Sequence, residues 1–355
     1  MGSDSRKPLG MTIGVDLGDR RSDLCILDST GRVEARRQAA TTETGLTTAL
    51  RAYAGARVVV EVGTHSPWVS RLLGRLGHEV VVANPRRVRR IAAQEDKSDR
   101  IDAELLARLG RVDPALLRPI RHRGEQVQRD RAVLRVRDAL VRARAMLVTQ
   151  ARGLAKSLGT RLPRCDAQTF AKRMTAAGLS AAFPGCAALL ATVAELSQQI
   201  RALDTAIARV GDAQYPATRT LRQVAGVGPV TALAFVVTLE DPTRFPRSRA
   251  VGAYLGLRPK KRQSGDQDPA LRITKAGDAY LRRMLVQAAQ YILGPYGPDT
   301  ALRRFGERLI ARGGGAARKK AVVAVARKLA VLLHRLWVTG APYEPLRGMP
   351  REAVA

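Results

Sequence analysis

Four carboxylates stand where they can share a divalent cation. Asp16 interrupts the apolar stretch Met11-Thr-Ile-Gly-Val-Asp-Leu-Gly18, and Glu61 closes the run Val58-Val-Val60. Asp99 and Asp102, in Lys97-Ser-Asp-Arg-Ile-Asp-Ala103, are three residues apart and share a face if that segment is helical. A carboxylate beside an apolar strand is costly unless it is paired or binds a metal. Carboxylate oxygens suit Mg2+ (or Mn2+), the ions that assist displacement at phosphate esters. Taken singly, each acid is ordinary: an Asp ending a strand is commonly a turn or cap residue, and an Asp pair is commonly a solvated face. The order, two strand ends followed by a helix face, is what points to a metal site.

Cations and one serine make a second set. Pro85-Arg-Arg-Val-Arg-Arg90 puts Arg86, Arg87, Arg89 and Arg90 close in sequence to the acids. These are either a solvated helix start or a clamp on the phosphates of a strand to be cut. Leu221-Arg-Gln-Val-Ala-Gly-Val-Gly-Pro-Val-Thr231 reads as helix, tight turn, helix, the helix-hairpin-helix pattern. There Gly226 and Gly228 would let backbone N–H groups and a helix start approach a DNA phosphate. Arg258, Lys260, Lys261 and Arg262 lead into Ser264-Gly265, and Lys275 follows in Ile273-Thr-Lys-Ala-Gly277. By residue type alone Ser264 is a turn residue.

Several elements must position these groups. Residues 11 to about 110 alternate strands and helices: a first strand with Asp16, strands at 22–28 and 32–38, a helix at 44–53, a strand at 58–61, a helix at 66–76 and a strand at 79–83. A three-strand hairpin followed by helix, strand, helix, strand is the RNase H-like order. Beyond it, Arg118 to Arg152 contains ten arginines against three acids. Val133, Val136, Leu140, Ala143, Leu147 and Leu154 form one apolar stripe along it, so this segment reads as a long basic helix whose outer face needs an anion. Leu189, Val193, Leu196, Ile200, Leu203, Ile207 and Val210 repeat four, three, four, three, a heptad seam. It pairs either with the basic helix or across a dimer. The expected divisions are a disordered leader at 1–10 (with Met11 as an alternative start), an α/β unit at 11–112, a helical coiled-coil linker at 113–214, a mainly α unit at 215–340 and a loose tail at 341–355.

Composition narrows the partner. The 355 residues carry 61 Lys and Arg against 31 Asp and Glu, a net charge of +30, which calls for a polyanion and by default nucleic acid. Aromatics are only 4%, so phosphate contacts rather than base stacking should dominate. Cys25, Cys165 and Cys186 lack metal spacing and suit a reducing compartment. No signal peptide is visible, and the apolar run 321–338 is broken by Arg327, Lys328, His334 and Arg335. The expectation is a soluble, cytoplasmic bacterial protein, nucleoid-associated when bound to DNA, with no membrane role.

The chain resembles the DEDD transposases of the insertion-sequence 110 type, the bridge-RNA-guided recombinases. The resemblance rests on Ile13-Gly-Val-Asp16, Val60-Glu61, Lys97–Ala103, Val224–Ala232, Ala253-Tyr-Leu-Gly-Leu-Arg-Pro259, Gln263-Ser-Gly265, Ile273–Gly277 and Leu281-Arg-Arg283. Val62-Gly-Thr64 departs from the Ala-Thr-Gly of many relatives and leaves Glu61 in place. The resemblance implies a RuvC-like domain with Asp16, Glu61, Asp99 and Asp102 as a metal-binding tetrad. It also implies a helical linker and a C-terminal transposase domain whose nucleophile, by motif, is Ser264. It further implies donor and target DNA chosen by a non-coding bridge RNA. The assembly would be a homo-oligomer, dimer or tetramer, in which one subunit's acids serve another's serine.

Three other readings fit less of the chain. A RuvC-like nuclease of the junction-resolvase type would use the acids with water and leave 215–340 without a role. An actin-like kinase shares Ile13-Gly-Val-Asp-Leu-Gly18 but needs a second Asp-x-Gly phosphate loop, and a charge of +30 does not suit it. A non-catalytic RNA-binding scaffold would use the charge and leave the acids idle.

Overall fold

Short apolar strands, buried along most of their length, build the first part of the chain. In a computed structural model, which describes residues 10–85, 88, 99–261 and 271–347 (the side chains of Asp99 and Arg100 excepted), five strands form one mixed sheet. They are β1 (Thr12–Leu17), β2 (Arg21–Leu27), β3 (Val33–Ala40), β4 (Arg57–Glu61) and β5 (Glu79–Ala83). The order across the sheet is β3-β2-β1-β4-β5. The first three strands pair antiparallel, and β4 and β5 extend the sheet in parallel from β1. This order is compatible with the RNase H-like arrangement expected from the sequence.

Successive side chains of a strand point to opposite faces. Ile13, Val15, Val58 and Val60 face α1 (Glu43–Leu50) and α2 (Ser66–Arg75) in one core. The other face is covered by α3 (Asp99–Val112). There Cys25 and Leu27 meet Ala103 and Ala107, and Val59 and Val81 meet Leu106. Gly14 makes that second contact possible. A Cβ on it would lie 1.9 Å from the Ala103 carbonyl oxygen and 2.5 Å from the Ala107 nitrogen, so α3 rests directly on the bare backbone of β1.

The described residues fall into two compact units, divided between Gly124 and Glu125. The second is helical. Its helices are α4 (Glu125–Ser157), α5 (Phe170–Ala176), α6 (Cys186–Gln214), α7 (Ala217–Leu221), α8 (Pro229–Leu239), α9 (Arg249–Tyr254), α10 (Ala279–Ile292), α11 (Ala301–Ala311) and α12 (Ala317–Thr339). Nine consecutive residues of α8, Thr231–Leu239, are buried, and it is the axis of this core.

The heptad seam of α6 closes on α4 of the same chain as an antiparallel hairpin. Arg137 pairs with Asp204, Arg144 donates to the Ser197 hydroxyl at 3.2 Å, and Val148 and Val193 share a core. The apolar stripe expected along α4 lies at the edge of the face that packs, where Val133 and Leu147 are partly buried against the core. Leu134, Val148, Ala151 and Ala155 are buried, whereas Val136 and Leu154 are 51% and 38% exposed. The packed face is offset by one residue and includes Arg137 and Arg144. Arg137 is paired from α6, and Arg144 reaches α6 through one nitrogen while its Nε is buried without a hydrogen-bond partner among the described residues, an arrangement that a tally of apolar residues cannot anticipate.

The arginines of this segment are also less available than expected. Arg129 pairs with Glu125, Arg142 with Asp138 and Arg131 with Asp278, and Arg152 donates to the carbonyls of Leu162 and Pro163. Part of the anion requirement of α4 is therefore met inside the chain. Residues 341–347 are held as well: Ala301 N donates to Pro345 O at 2.8 Å, and Tyr343 N to Gln223 Oε1 at 3.1 Å. The leader 1–9 and the end 348–355 lie outside the described residues.

One buried acid ties the long helix to the rest of its unit. Asp278 caps α10, accepting from Leu281 N at 2.9 Å, and accepts from Arg131 of α4 at 2.7 Å. It is only 10% exposed. Asp278→Ala removes a cap worth about 1 kcal/mol and the carboxylate that Arg131 and Arg135 share, a further loss of up to about 3 kcal/mol. Asp278→Asn keeps the cap and should lose less. A fall in thermal midpoint by several degrees in Ala, and about half as much in Asn, is expected by calorimetry of the full chain. Equal, negligible shifts would count against this account.

Candidate active site and nucleic-acid contacts

The sheet brings two of the four expected acids to one edge. Val15 of β1 lies opposite Val60 of β4 in a parallel pair, so the next residues, Asp16 and Glu61, sit side by side where both strands end. Both also point to the face that α3 covers. Asp16 is two residues beyond Gly14, which touches α3, and Glu61 is two beyond Val59, against which Gly110 of α3 rests.

The direction of α3 completes the placement. Its C-terminal end lies over the start of β1: Arg57, opposite Thr12, donates to the Gly110 carbonyl at 3.0 Å, and Arg111 reaches the Ser29 carbonyl at 2.6 Å. The helix therefore runs back across the sheet, and its first turn, with Asp102, lies toward the Asp16 and Glu61 end. Asp99 begins the same helix; its side chain is outside the described residues. Asp16, Glu61 and Asp102 are all half-buried. Among the described residues, no three His, Cys, Asp or Glu side chains gather as a metal-ligand group.

Other groups near this edge escaped the sequence reading. Asp23 of β2 is the cross-strand partner of Asp16 and faces the same side. The hairpin turn at Gly18–Arg20 would have revealed it, because closing Leu17 on Ser22 sets Asp16 against Asp23. His65, just after β4, accepts from Trp68 Nε1 through Nδ1 at 3.1 Å, which leaves Nε2–H directed at Asp19 Oδ1, 3.3 Å away. Glu104 is engaged elsewhere. Hydrogen bonds from Arg36 and then Arg108 hold its carboxyl below the usual range, so it serves as an anchor between α3 and β3.

In the second unit, the motif Ile273–Gly277 builds a stem. Residues 258–260 and 272–274 pair antiparallel: Lys260 N donates to Arg272 O at 3.0 Å and Thr274 N to Arg258 O at 2.9 Å. Arg282 clamps the base, donating to the carbonyls of Leu255 and Ala276 at 3.0 and 2.7 Å. At Gly256, φ is +68° and a Cβ would lie 2.3 Å from Ala276 N, so that turn requires glycine. Arg258, Lys260, Lys261 and Lys275 are all exposed on the stem, with no carboxylate partner among the described residues. Arg262 and Ser264 lie outside the described residues, as do Arg86, Arg87, Arg89 and Arg90.

The two glycines expected to meet DNA differ. Gly226 has φ +77°, and a Cβ there would lie 2.9 Å from the Ala288 carbonyl, so its small size serves α10 inside the chain. Gly228 starts α8 with an extended backbone, and nothing lies within 4 Å of a Cβ built on it. Packing makes no demand for glycine there. A close approach from outside would.

A unit with an acidic sheet edge, followed by a strongly basic helical unit, defines a protein that acts on nucleic acid. Comparison with known proteins supplies the family. A model of the IS116/IS110/IS902 transposase family matches residues 218–301, and a DEDD transposase model of the IS110 type matches 13–159. A Pseudomonas aeruginosa protein named "Probable family 20 transposase" is 31% identical over 248 residues, covering 66% of this chain and 71% of the relative. The transposase for insertion sequence element IS1111A of Coxiella burnetii is 27% identical over 288 residues, covering 79% and 77%. That for IS1328 of Yersinia enterocolitica is 29% identical over 287 residues, covering 78% and 82%. The chain belongs to the IS116/IS110/IS902 transposase family, and its activity is that of an insertion-sequence DNA transposase. Among the described residues, no helix is long and apolar enough to cross a membrane.

Proposed function

We propose that the protein cuts and rejoins donor and target DNA through a phosphoserine link, with Ser264 as nucleophile and a RuvC-like acidic site on the first unit. The observation that carries this reading is the crossing of α3 over Gly14. It sets Asp16, Glu61 and the first turn of α3, with Asp102, on one face and at one end of the sheet. The donor set is made of carboxylate oxygens and so fits Mg2+ or Mn2+. Such an ion, when bound, supplies Lewis-acid stabilisation of phosphate charge.

The serine step balances without an outside energy source. The Oγ–H proton passes to a base as Oγ attacks phosphorus, and one DNA oxygen leaves and is protonated. In rejoining, a DNA hydroxyl attacks the same phosphorus and releases serine, so the phosphodiester count is conserved. Arg258, Lys260, Lys261 and Arg262 would offset phosphate charge as it develops. A guide RNA, a homo-oligomer of two or four chains and a cytoplasmic, nucleoid-associated site of action belong to this proposal. The charge of +30 and the match to 13–159 and 218–301, which contain the four acids and Ser264, support it.

The test uses the full chain purified with its nucleic acid. Sequencing of co-purified RNA should return one element-encoded species. Light scattering should give a mass of two or four chains. Cleavage of donor DNA should require Mg2+ or Mn2+ and stop in EDTA. Undiminished cleavage in EDTA would remove the metal site, and an RNA-free active preparation would remove the guide.

A further inference from the structure

The second unit contains a cavity of about 1290 Å3 that none of the motifs above accounts for. It runs along α12 and is closed on its sides by the stem stretches 257–259 and 271–275, by α11 and by residues 341–347. Helix α12 carries six cations, Arg318, Lys319, Lys320, Arg327, Lys328 and Arg335, and no acid. Lys320, Arg327 and Arg335 fall with Ala324 and Val331 on the one face that lines the cavity. At 1.5 Å of rise per residue, they form a track about 22 Å long. Arg272 adds a cation from the stem. None of these four has a carboxylate partner among the described residues, and the one acid of the lining, Glu344, already lies 3.9 Å from Arg347. The side walls are different in kind: Ile273, Phe305 and Tyr343 make them apolar and partly aromatic.

We infer that this groove holds a single strand of DNA beside the serine-bearing stretch. A line of cations beside apolar walls suits a strand whose phosphates lie along the cations and whose unpaired bases lie against the walls. A duplex presents its phosphates outward and its base faces stacked inside, so it would leave the apolar walls unused. Ser264, the nucleophile proposed above, is five residues along the chain from Pro259 of the stem and so within about 18 Å of it. DNA rather than RNA follows from that neighbourhood, and this part rests on the proposed role of Ser264. The groove also explains why so basic a helix as α12 sits against α11 without acids to match it.

The test measures binding, not cleavage, so it stands apart from the catalytic proposal. Fluorescence anisotropy of a labelled mixed-sequence single-stranded oligodeoxynucleotide is read on the full chain, on Lys320→Gln/Arg335→Gln, and on Arg209→Gln/Arg312→Gln. The last pair removes the same charge from exposed positions outside the groove. Circular dichroism melting confirms the fold of each. The groove variant should bind at least about tenfold more weakly, with a salt slope lower by about 0.7 for each phosphate that is no longer neutralised. The control should stay within about twofold. Cross-links from 4-thiothymidine should map to α12 or 341–347. Equal losses in both double variants, or cross-links confined elsewhere, would overturn the inference. So would a groove effect seen only with the matching RNA or duplex, or tighter binding after deletion of 348–355, which would make the chain's own end the occupant. If binding behaves as expected in a protein that never forms a serine adduct, the groove stands and the catalytic proposal falls.

Discussion

Asp16→Asn, Glu61→Gln, Asp99→Asn and Asp102→Asn are each expected to lower DNA strand cleavage by about a thousandfold or more, the scale on which loss of one charge-stabilising group acts in a catalytic site. Each swap keeps side-chain size and removes a negative charge, so the fold should survive. The sheet adds two discriminating variants. Asp23→Asn, opposite Asp16 on the same face, should reduce cleavage measurably if the acidic edge extends to β2. Glu104→Gln breaks the exposed pairs to Arg36 and Arg108, so it should cost under about 1 kcal/mol of stability and leave cleavage intact. Normal cleavage in all four acid variants would show that this edge is not where the chemistry occurs.

Ser264→Ala separates a recombinase from a nuclease. With serine as nucleophile, cleaved DNA is joined to the protein, and the alanine variant loses both the adduct and recombination. It should bind DNA and RNA as before, because one hydroxyl adds little to an interface dominated by phosphate contacts. Ser264→Cys can retain a trace of cleavage, since a thiolate attacks but sits differently. The acid variants should lack the adduct as well, because metal and serine would serve one step. A denaturing gel with end-labelled donor DNA, followed by mass spectrometry of the adducted peptide, reads all of this. Free cleaved ends at normal rates in Ser264→Ala would mean that water attacks, and the junction-resolvase reading would take the place of ours.

Much of the first unit was legible because its signals are local. Strands predicted at 22–28, 58–61 and 79–83 form at Arg21–Leu27, Arg57–Glu61 and Glu79–Ala83, since short apolar runs and their bounding turns are written in consecutive residues. The helix at 66–76 starts where Pro67 allows. Asp23 and His65 were missed for the opposite reason. Their proximity to the acidic edge depends on pairing across a hairpin and on a loop after β4, and neither residue breaks a pattern in its own segment. Helix α11 escaped the sequence reading. Its Thr300 cap, which accepts from Arg303 N at 3.1 Å, was the available signal.

By itself, the sequence determined which residues carry charge, where strands and helices start and stop, and that this chain must meet a polyanion. Those properties follow from residue type and from periods of two and 3.6 residues, which need no partner to be read. Tertiary structure alone decided what each face meets. It made Gly14 the seat of α3, and it gave the α6 seam a partner in its own chain. It also centred the packed face of α4 one residue from the expected stripe, so that Arg137 meets Asp204 and Arg144 meets Ser197 of α6. The groove along α12 joins stretches from 257 to 347 that share no local pattern. A periodic pattern records that a face is apolar or charged, whereas the partner of that face is fixed only when distant segments compete for the same core.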